Sequence, residues 1–173
     1  MSSSFDFAEP DHFTAGTLGE PGNRVFYLQA REGASVVSLR CEKQQVAALA
    51  DYLGGVMRDL PEADGPGPTE LELIEPVVAE WVVGTLGVAY DEDSDRLVLL
   101  AQELGEDEPG EGEDPIDDDA ATVRLRLTRE QVAAFIGRAQ ELLTAGRPPC
   151  PICGRPLDPE GHVCPRTNGH HPR

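Results

Sequence analysis

Between residues 123 and 127 apolar and charged positions alternate without a break, Val123, Leu125 and Leu127 against Arg124 and Arg126. That period of two predicts a strand with one dry face and one wet face. Immediately afterwards the period changes: Val132, Phe135, Ile136, Ala139, Leu142 and Leu143 recur at helical spacing, which predicts an amphipathic helix. Thr128 followed three residues later by Gln131 is a capping-box signature for its start, and Gly146 with Pro148 and Pro149 marks its stop. An earlier stretch repeats the sequence of events, with Val46, Leu49, Ala50, Leu53 and Met57 forming a second helical stripe behind another apolar strand.

The likeness between these stretches extends to their residues. Val37–Leu49 (VSLRCEKQQVAAL) aligns with Val123–Phe135 (VRLRLTREQVAAF), sharing Val, Leu, Arg and Gln-Val-Ala-Ala in register. Upstream, Gly16-Thr17-Leu18-Gly19 recurs as Gly84-Thr85-Leu86-Gly87, each behind an aromatic residue, Phe13 or Trp81, and Arg24–Ala30 resembles Arg96–Gln102. Three matches in one order point to an internal duplication of a β-β-β-α unit. We therefore expect one α+β domain over residues 1–146, with copies at about 11–60 and 79–146. Two half-cores of this size share one interior, giving a pseudo-twofold, mostly antiparallel sheet of six or more strands, open or barrel-like, covered by two helices. Residues 61–70, rich in Pro and Gly, read as the linker between copies.

Charge adds two features that hydropathy does not show. Residues 105–119 hold nine carboxylates and two prolines, a composition unable to bury enough apolar surface to order itself, so an acidic loop is expected there. The chain as a whole carries a formal charge of −18, which repels phosphate backbones and disfavours nucleic acid as the main partner. The exception is the tail, residues 147–173, where four arginines face two carboxylates. No apolar run reaches membrane-span length and the first ten residues lack a signal-peptide pattern, so a cytoplasmic location is expected. Lys43 is the sole lysine beside thirteen arginines, a bias that suggests a GC-rich, actinobacterial-type genome.

The tail also carries the sharpest candidate chemistry. Cys150 and Cys153 form a C-x2-C knuckle, and Cys164 follows ten residues later. Such a pair lets two thiolates reach one tetrahedral zinc ion at about 2.3 Å. The fourth ligand is His162 or His170; the single residue between His162 and Cys164 favours His162. Three thiolates and one imidazole would fill the coordination sphere, so the expected metal is structural Zn2+.

Elsewhere the bland readings are favoured. Cys41 aligns with Leu127 and reads as core volume, and the GTLG segments lack a phosphate-loop pattern and read as strands whose glycines permit close packing. Asp91, Asp93 and Asp95 mimic the first half of a calcium loop, but Arg96 stands where glycine is required, so a hairpin turn is expected. Arg40 and Arg126, equivalent in the alignment, are a candidate symmetric anion site, and His12 is the lone histidine outside the tail. No catalytic set can be assigned.

The opening FDFAEPDHFTAGTLGEPGNRVFYLQA, the second GTLG segment and the ending CPICGRPLDPEGHVCPRTNG resemble an actinobacterial family of conserved proteins whose domain is of unknown function. The resemblance covers nearly the whole chain. It implies a tail pattern CPxCGxP followed by GHxCPRxNG, carried by Cys150, Cys153, Gly154, Pro156, Gly161, His162, Cys164, Pro165, Arg166, Asn168 and Gly169, and thereby supports His162 over His170. It implies no established enzymatic activity, and it implies a connection with chromosome partitioning through contact with the partitioning ATPase.

The expected function is a non-enzymatic adaptor or regulator acting through protein–protein contact. One alternative is an enzyme or small-ligand-binding protein with a pocket at the interface of the two repeats. A second is nucleic-acid binding by the zinc tail.

Overall fold

The computed structural model describes residues 3–19, 23–63, 65, 67–105, 120–144 and 151–153. Its elements run β1 (Phe5–Phe7), β2 (His12–Leu18), β3 (Val25–Glu32), β4 (Ser35–Cys41), α1 (Lys43–Arg58), β5 (Ala79–Asp91), β6 (Arg96–Glu103), β7 (Thr122–Leu127) and α2 (Arg129–Thr144). The fold is α+β: one seven-stranded open sheet in the order β1-β7-β6-β5-β4-β3-β2, with two helices. Two antiparallel meanders, β2-β3-β4 and β5-β6-β7, are joined by a parallel β4–β5 pair, and β1 is parallel to β7.

The two edge strands are consecutive in the chain. Only residues 8–11 separate β1 from β2, a span that extended backbone crosses in at most about 18 Å. In a flat seven-stranded sheet the edges would stand about 29 Å apart. The sheet must therefore curl, and its concave side is the core: Phe26, Leu28, Ala30, Val37, Leu39 and Cys41 from one meander, Leu97, Leu99, Ala101, Val123, Leu125 and Leu127 from the other, all buried. The space left between the meanders is about 10 Å³, barely one water, so side chains fill this interior.

Local rules explain the elements. Phe26, Leu28 and Ala30 pair with Cys41, Leu39 and Val37 on the inner face, while the β3–β4 turn places Gly33 at φ +60°, where a side chain would be strained. Each helix opens on a capping box. The Gln131 Oε1 accepts from the Thr128 N–H at 3.0 Å, and the Thr128 hydroxyl accepts from the Gln131 N–H at 3.1 Å; at α1 the Gln45 Oε1 accepts from the Glu42 N–H at 2.8 Å. Both helices then run 16 residues.

The ladder registers define which positions of the two meanders correspond. Leu28 opposite Leu39 matches Leu99 opposite Leu125, and Phe13 opposite Ala30 matches Leu86 opposite Ala101. On this basis the alignment of Val37–Leu49 with Val123–Phe135 keeps register, but the other two matches slip. Gly16, opposite Tyr27, corresponds to Ala89, opposite Val98, and not to Gly84 beside the β5 bulge. Likewise Phe26 corresponds to Leu97, one position off the alignment that begins at Arg24 and Arg96. Short runs of Gly, Thr and Leu recur easily in strands, whereas the strand-to-helix junction is fixed by both core and cap.

Candidate functional site

Each helix lies along one strand and leaves a seam. At the α2–β2 seam Phe135 and Phe13 stack with ring centroids 4.6 Å apart and planes 20° apart. The corresponding pair at the α1–β5 seam is Leu49 and Leu86, two aliphatic side chains with less reach. Here a groove of about 520 Å³ opens, lined by Gln45, Ala48, Leu49, Tyr52, Gly84, Leu86, Gly87 and Val88. Gln45 anchors its upper end: its Nε2 donates to the Val83 carbonyl at 3.0 Å and approaches the Gly84 carbonyl at 3.4 Å. Gln131 does the same in the other half, donating to the Pro10 carbonyl at 2.7 Å.

What differs is the cover. The segment between α1 and β5 lies across the first half. Gly67 rests on α2 so closely that an added Cβ would stand 2.6 Å from the Glu130 carbonyl oxygen and 3.0 Å from the Ala134 Cβ. The Thr14 hydroxyl then donates to the Leu71 carbonyl at 2.5 Å, and the Leu73 side chain occupies the space above Gly16. Gln29 clasps Ile74 from both sides, its Oε1 accepting from the Ile74 N–H at 2.7 Å and its Nε2 donating to the Ile74 carbonyl at 3.0 Å and to the Ser38 hydroxyl at 3.1 Å. The buried polar side chains Thr14 and Gln29 are thus satisfied by the segment's backbone, and Ser38 by Gln29. At corresponding positions the second half has Gly87, Leu100 and Arg124; Leu100 is 40% exposed, and Ala48, which corresponds to the covered Ala134, is exposed.

The groove lining offers one phenol and one amide, with no carboxylate, imidazole or thiol. It is suited to holding apolar groups rather than to moving protons.

The other candidates resolve individually. Cys41 is buried with its thiol pushed up to about 12 by burial and then by the Glu42 carboxylate, so it stays protonated as core volume. Asp91 and Asp95 are spent within a hairpin turn. Asp91 accepts from the Asp93 N–H at 3.1 Å, the Ser94 hydroxyl at 2.8 Å and Arg126 at 3.4 Å; Asp95 accepts from Tyr90 at 2.6 Å and Arg129 at 3.0 Å. These donors hold both carboxyls below their ordinary value. Arg40 on β4 and Arg126 on β7 are separated by β5 and β6, so they do not converge on one anion. Neither GTLG segment leads into a helix, and Gly16 and Gly84 are both sites of close approach, to Leu73 and to the Leu104 backbone. His12 is buried beneath the covering segment, with Nε2 unpartnered among the described residues; burial lowers its pKa below the ordinary 6.5.

Two expectations fall outside the described residues. The acidic stretch does so from residue 106 to 119, and so do Cys150, His162 and Cys164 of the expected zinc set, as does His170. Cys153 is described and half-buried. Among the described residues no three His, Cys, Asp or Glu side chains form a metal-binding group, and no helix is long and apolar enough to cross a membrane.

A family profile described as a protein of unknown function, DUF3090, matches residues 5–164. The chain belongs to this family. No curated protein matches it, and no solved structure does. The DUF3090 match begins at Phe5, the first residue of β1, and so takes in every strand and helix among the described residues together with the C-x2-C knuckle. Of the groove residues, the sequence marked Leu49 as core-facing and Gly84, Leu86 and Gly87 as strand, but Tyr52 went unremarked. An aromatic residue on the polar side of α1, 58% exposed, was the available signal.

Proposed function

We propose that this DUF3090 protein is a non-enzymatic adaptor that acts through protein–protein contact, with the α1–β5 groove as its contact surface and a zinc-bound tail as a second module. The observation that carries this reading is the open groove itself, apolar and without acid–base chemistry, on a scaffold whose other seam is sealed. Its volume and lining suit an extended peptide or an apolar side-chain cluster. A duplication of one β-β-β-α unit accounts for the pair of seams; the matching hydrogen bonds of Gln45 and Gln131 support it.

For the tail, the ligand set is Cys150, Cys153, His162 and Cys164. The family match extends to residue 164 and stops short of His170, which favours His162. The partitioning ATPase implied by the resemblance, in an actinobacterial cytoplasm, is the first partner to test. Affinity capture with the full chain and with Ala48→Arg is the decisive comparison, because Ala48 is exposed and arginine suits a helix surface. A partner retained by the wild type and lost by the variant is the expected result; identical captures would remove the groove from the function. Zinc content measured on wild type and Cys153→Ser tests the tail, with one ion per chain expected in the first and loss in the second.

A further inference from the structure

At 13 residues β5 is the longest of the described strands, and β4 accompanies only its beginning. Ser38 pairs with Ala79 and Arg40 with Val82, after which β4 ends at Cys41 and the chain turns into α1. From Val83 to Asp91 β5 pairs on one side, with β6, and among the described residues no strand lies on the other. Alternate residues of an antiparallel ladder aim N–H and C=O away from the partner strand, so this stretch presents a row of backbone donors and acceptors on its free side. The first is already answered by a side chain: Gln45 Nε2 donates to the Val83 carbonyl at 3.0 Å, as the N–H of a neighbouring strand would. Beyond that bond the groove opens along Gly84, Leu86, Gly87 and Val88.

Free edges are ordinarily blunted by brevity, charge, proline or a cover. The edge strand β1 has only three residues, and β2 carries the Phe13–Phe135 stack and the contacts of Leu71 and Leu73. The run Gly84–Tyr90 has none of these: its sequence, GTLGVAY, contains no charge and no proline, in a chain of which 27% is charged. A bulge between Val83 and Thr85 precedes it, and from Thr85 to Asp91 the ladder with β6 is regular. Leu86, Val88 and Tyr90 are half-buried against the core, while Thr85, Gly87 and Ala89 are exposed. A strand laid alongside would share that alternation and bring every second side chain to Ala48, Leu49 and Tyr52 across the groove.

We propose that the free edge of β5 from Gly84 to Tyr90 receives a strand from a partner protein, an extended segment of alternating apolar and basic residues that lies on the line of β4 beyond Cys41. This rests on reading the groove as a protein-contact surface, and it gives the partner a backbone form and a side-chain pattern. Main-chain hydrogen bonds to the edge supply affinity, and the apolar side chains that enter between Leu49 and Tyr52 supply selectivity. Basic side chains on the opposite face suit a chain of formal charge −18, and the same charge opposes edge-to-edge pairing of two copies.

The test is amide hydrogen exchange, followed residue by residue by NMR on the purified full chain, with and without a synthetic probe of alternating lysine and valine, about seven residues long and blocked at both ends. A fully N-methylated copy of the probe, with the same side chains and charge but no N–H to donate, is the control. At about ten times its Kd the probe is expected to slow exchange about tenfold at alternate amides between Gly84 and Tyr90, those not bonded to β6, because exchange there needs the free edge. The methylated copy is expected to protect none of them. Binding of the probe without that alternating protection would overturn the proposal in favour of side-chain contact, and so would equal protection by the methylated copy. No binding up to millimolar probe would overturn it outright. Protection already present without probe would overturn it too, in favour of a second copy if the mass is doubled and of an edge filled by the chain itself if it is not. The reading of the groove as a contact surface fails separately, by identical captures with wild type and Ala48→Arg.

Discussion

The α2–β2 seam and the α1–β5 seam are built on one plan and finished differently. Both have a capping-box glutamine that donates to a neighbouring backbone carbonyl, Val83 in β5 or Pro10 just before β2, and both have an apolar helix residue facing an apolar strand residue. One pair is Phe135 and Phe13, stacked, with residues 67–74 lying over the neighbouring faces of α2, β2 and β3; the other is Leu49 and Leu86, beside a groove of about 520 Å³. Changing two side chains from aromatic to aliphatic and withholding a cover turns a structural seam into a surface with room for a guest. On the function proposed here, stability and binding fall to different halves of one scaffold.

If that division holds, the halves respond unequally to equivalent changes. Phe135→Ala is expected to cost about 3–5 kcal/mol in chemical denaturation, since it empties a fully enclosed site. Leu49→Ala at the corresponding position is expected at the lower end of its class, about 2 kcal/mol, because the groove lets the surroundings relax. Equal costs would mean the groove is tighter than its shape indicates.

The cover can be lifted directly. Gly67→Ala drives a methyl group against the Glu130 backbone and is expected to destabilise by about 1–3 kcal/mol. Gly87→Ala, where nothing lies within 4 Å, is expected to stabilise by about 0.5 kcal/mol through the strand preference for alanine over glycine. Loss of stability in both would show that the second face is occupied.

Acidity probes the same cover through His12. Its pKa in the fold lies below the ordinary 6.5 because it is buried, so the unfolded chain binds a proton first. Stability from this group is therefore complete above about pH 6.5 and is lost as the pH falls through the folded value. A thermal midpoint that declines between pH 7 and pH 5, and declines less in His12→Gln, is expected. Asp11, Asp91 and Asp95 have lowered pKa values, so the stability they contribute is present above about pH 5 and is lost only as the pH falls further, below that window.

Much of this architecture was legible in the residues. The strand Val123–Leu127, both helices, the Thr128–Gln131 box and the core-filling place of Cys41 all follow from periodicity and local chemistry, because each is decided within a few neighbouring side chains. The cover was not legible. Residues 67–74 read as linker, and their role depends on Gln29, Thr14 and Gly16, partners more than forty residues away that no local pattern connects. The GTLG correspondence misled for the opposite reason: four matching letters ignored the register that cross-strand pairing imposes. The groove followed neither rule, being the place where a regular pattern lacks its usual filling.

The pairing of β1 with β7 has a consequence for how the molecule comes into being. Phe5 belongs beside Val123, so β1 is made long before the strand it pairs with. On a ribosome adding about 5–20 residues per second, β2, β3, β4 and α1 emerge early, while Phe5 and Phe7 wait on the order of 10 s for their neighbour. The nascent chain must carry two unsheltered aromatic residues through that interval. Closing this last, long-range pairing should then set the tempo of folding.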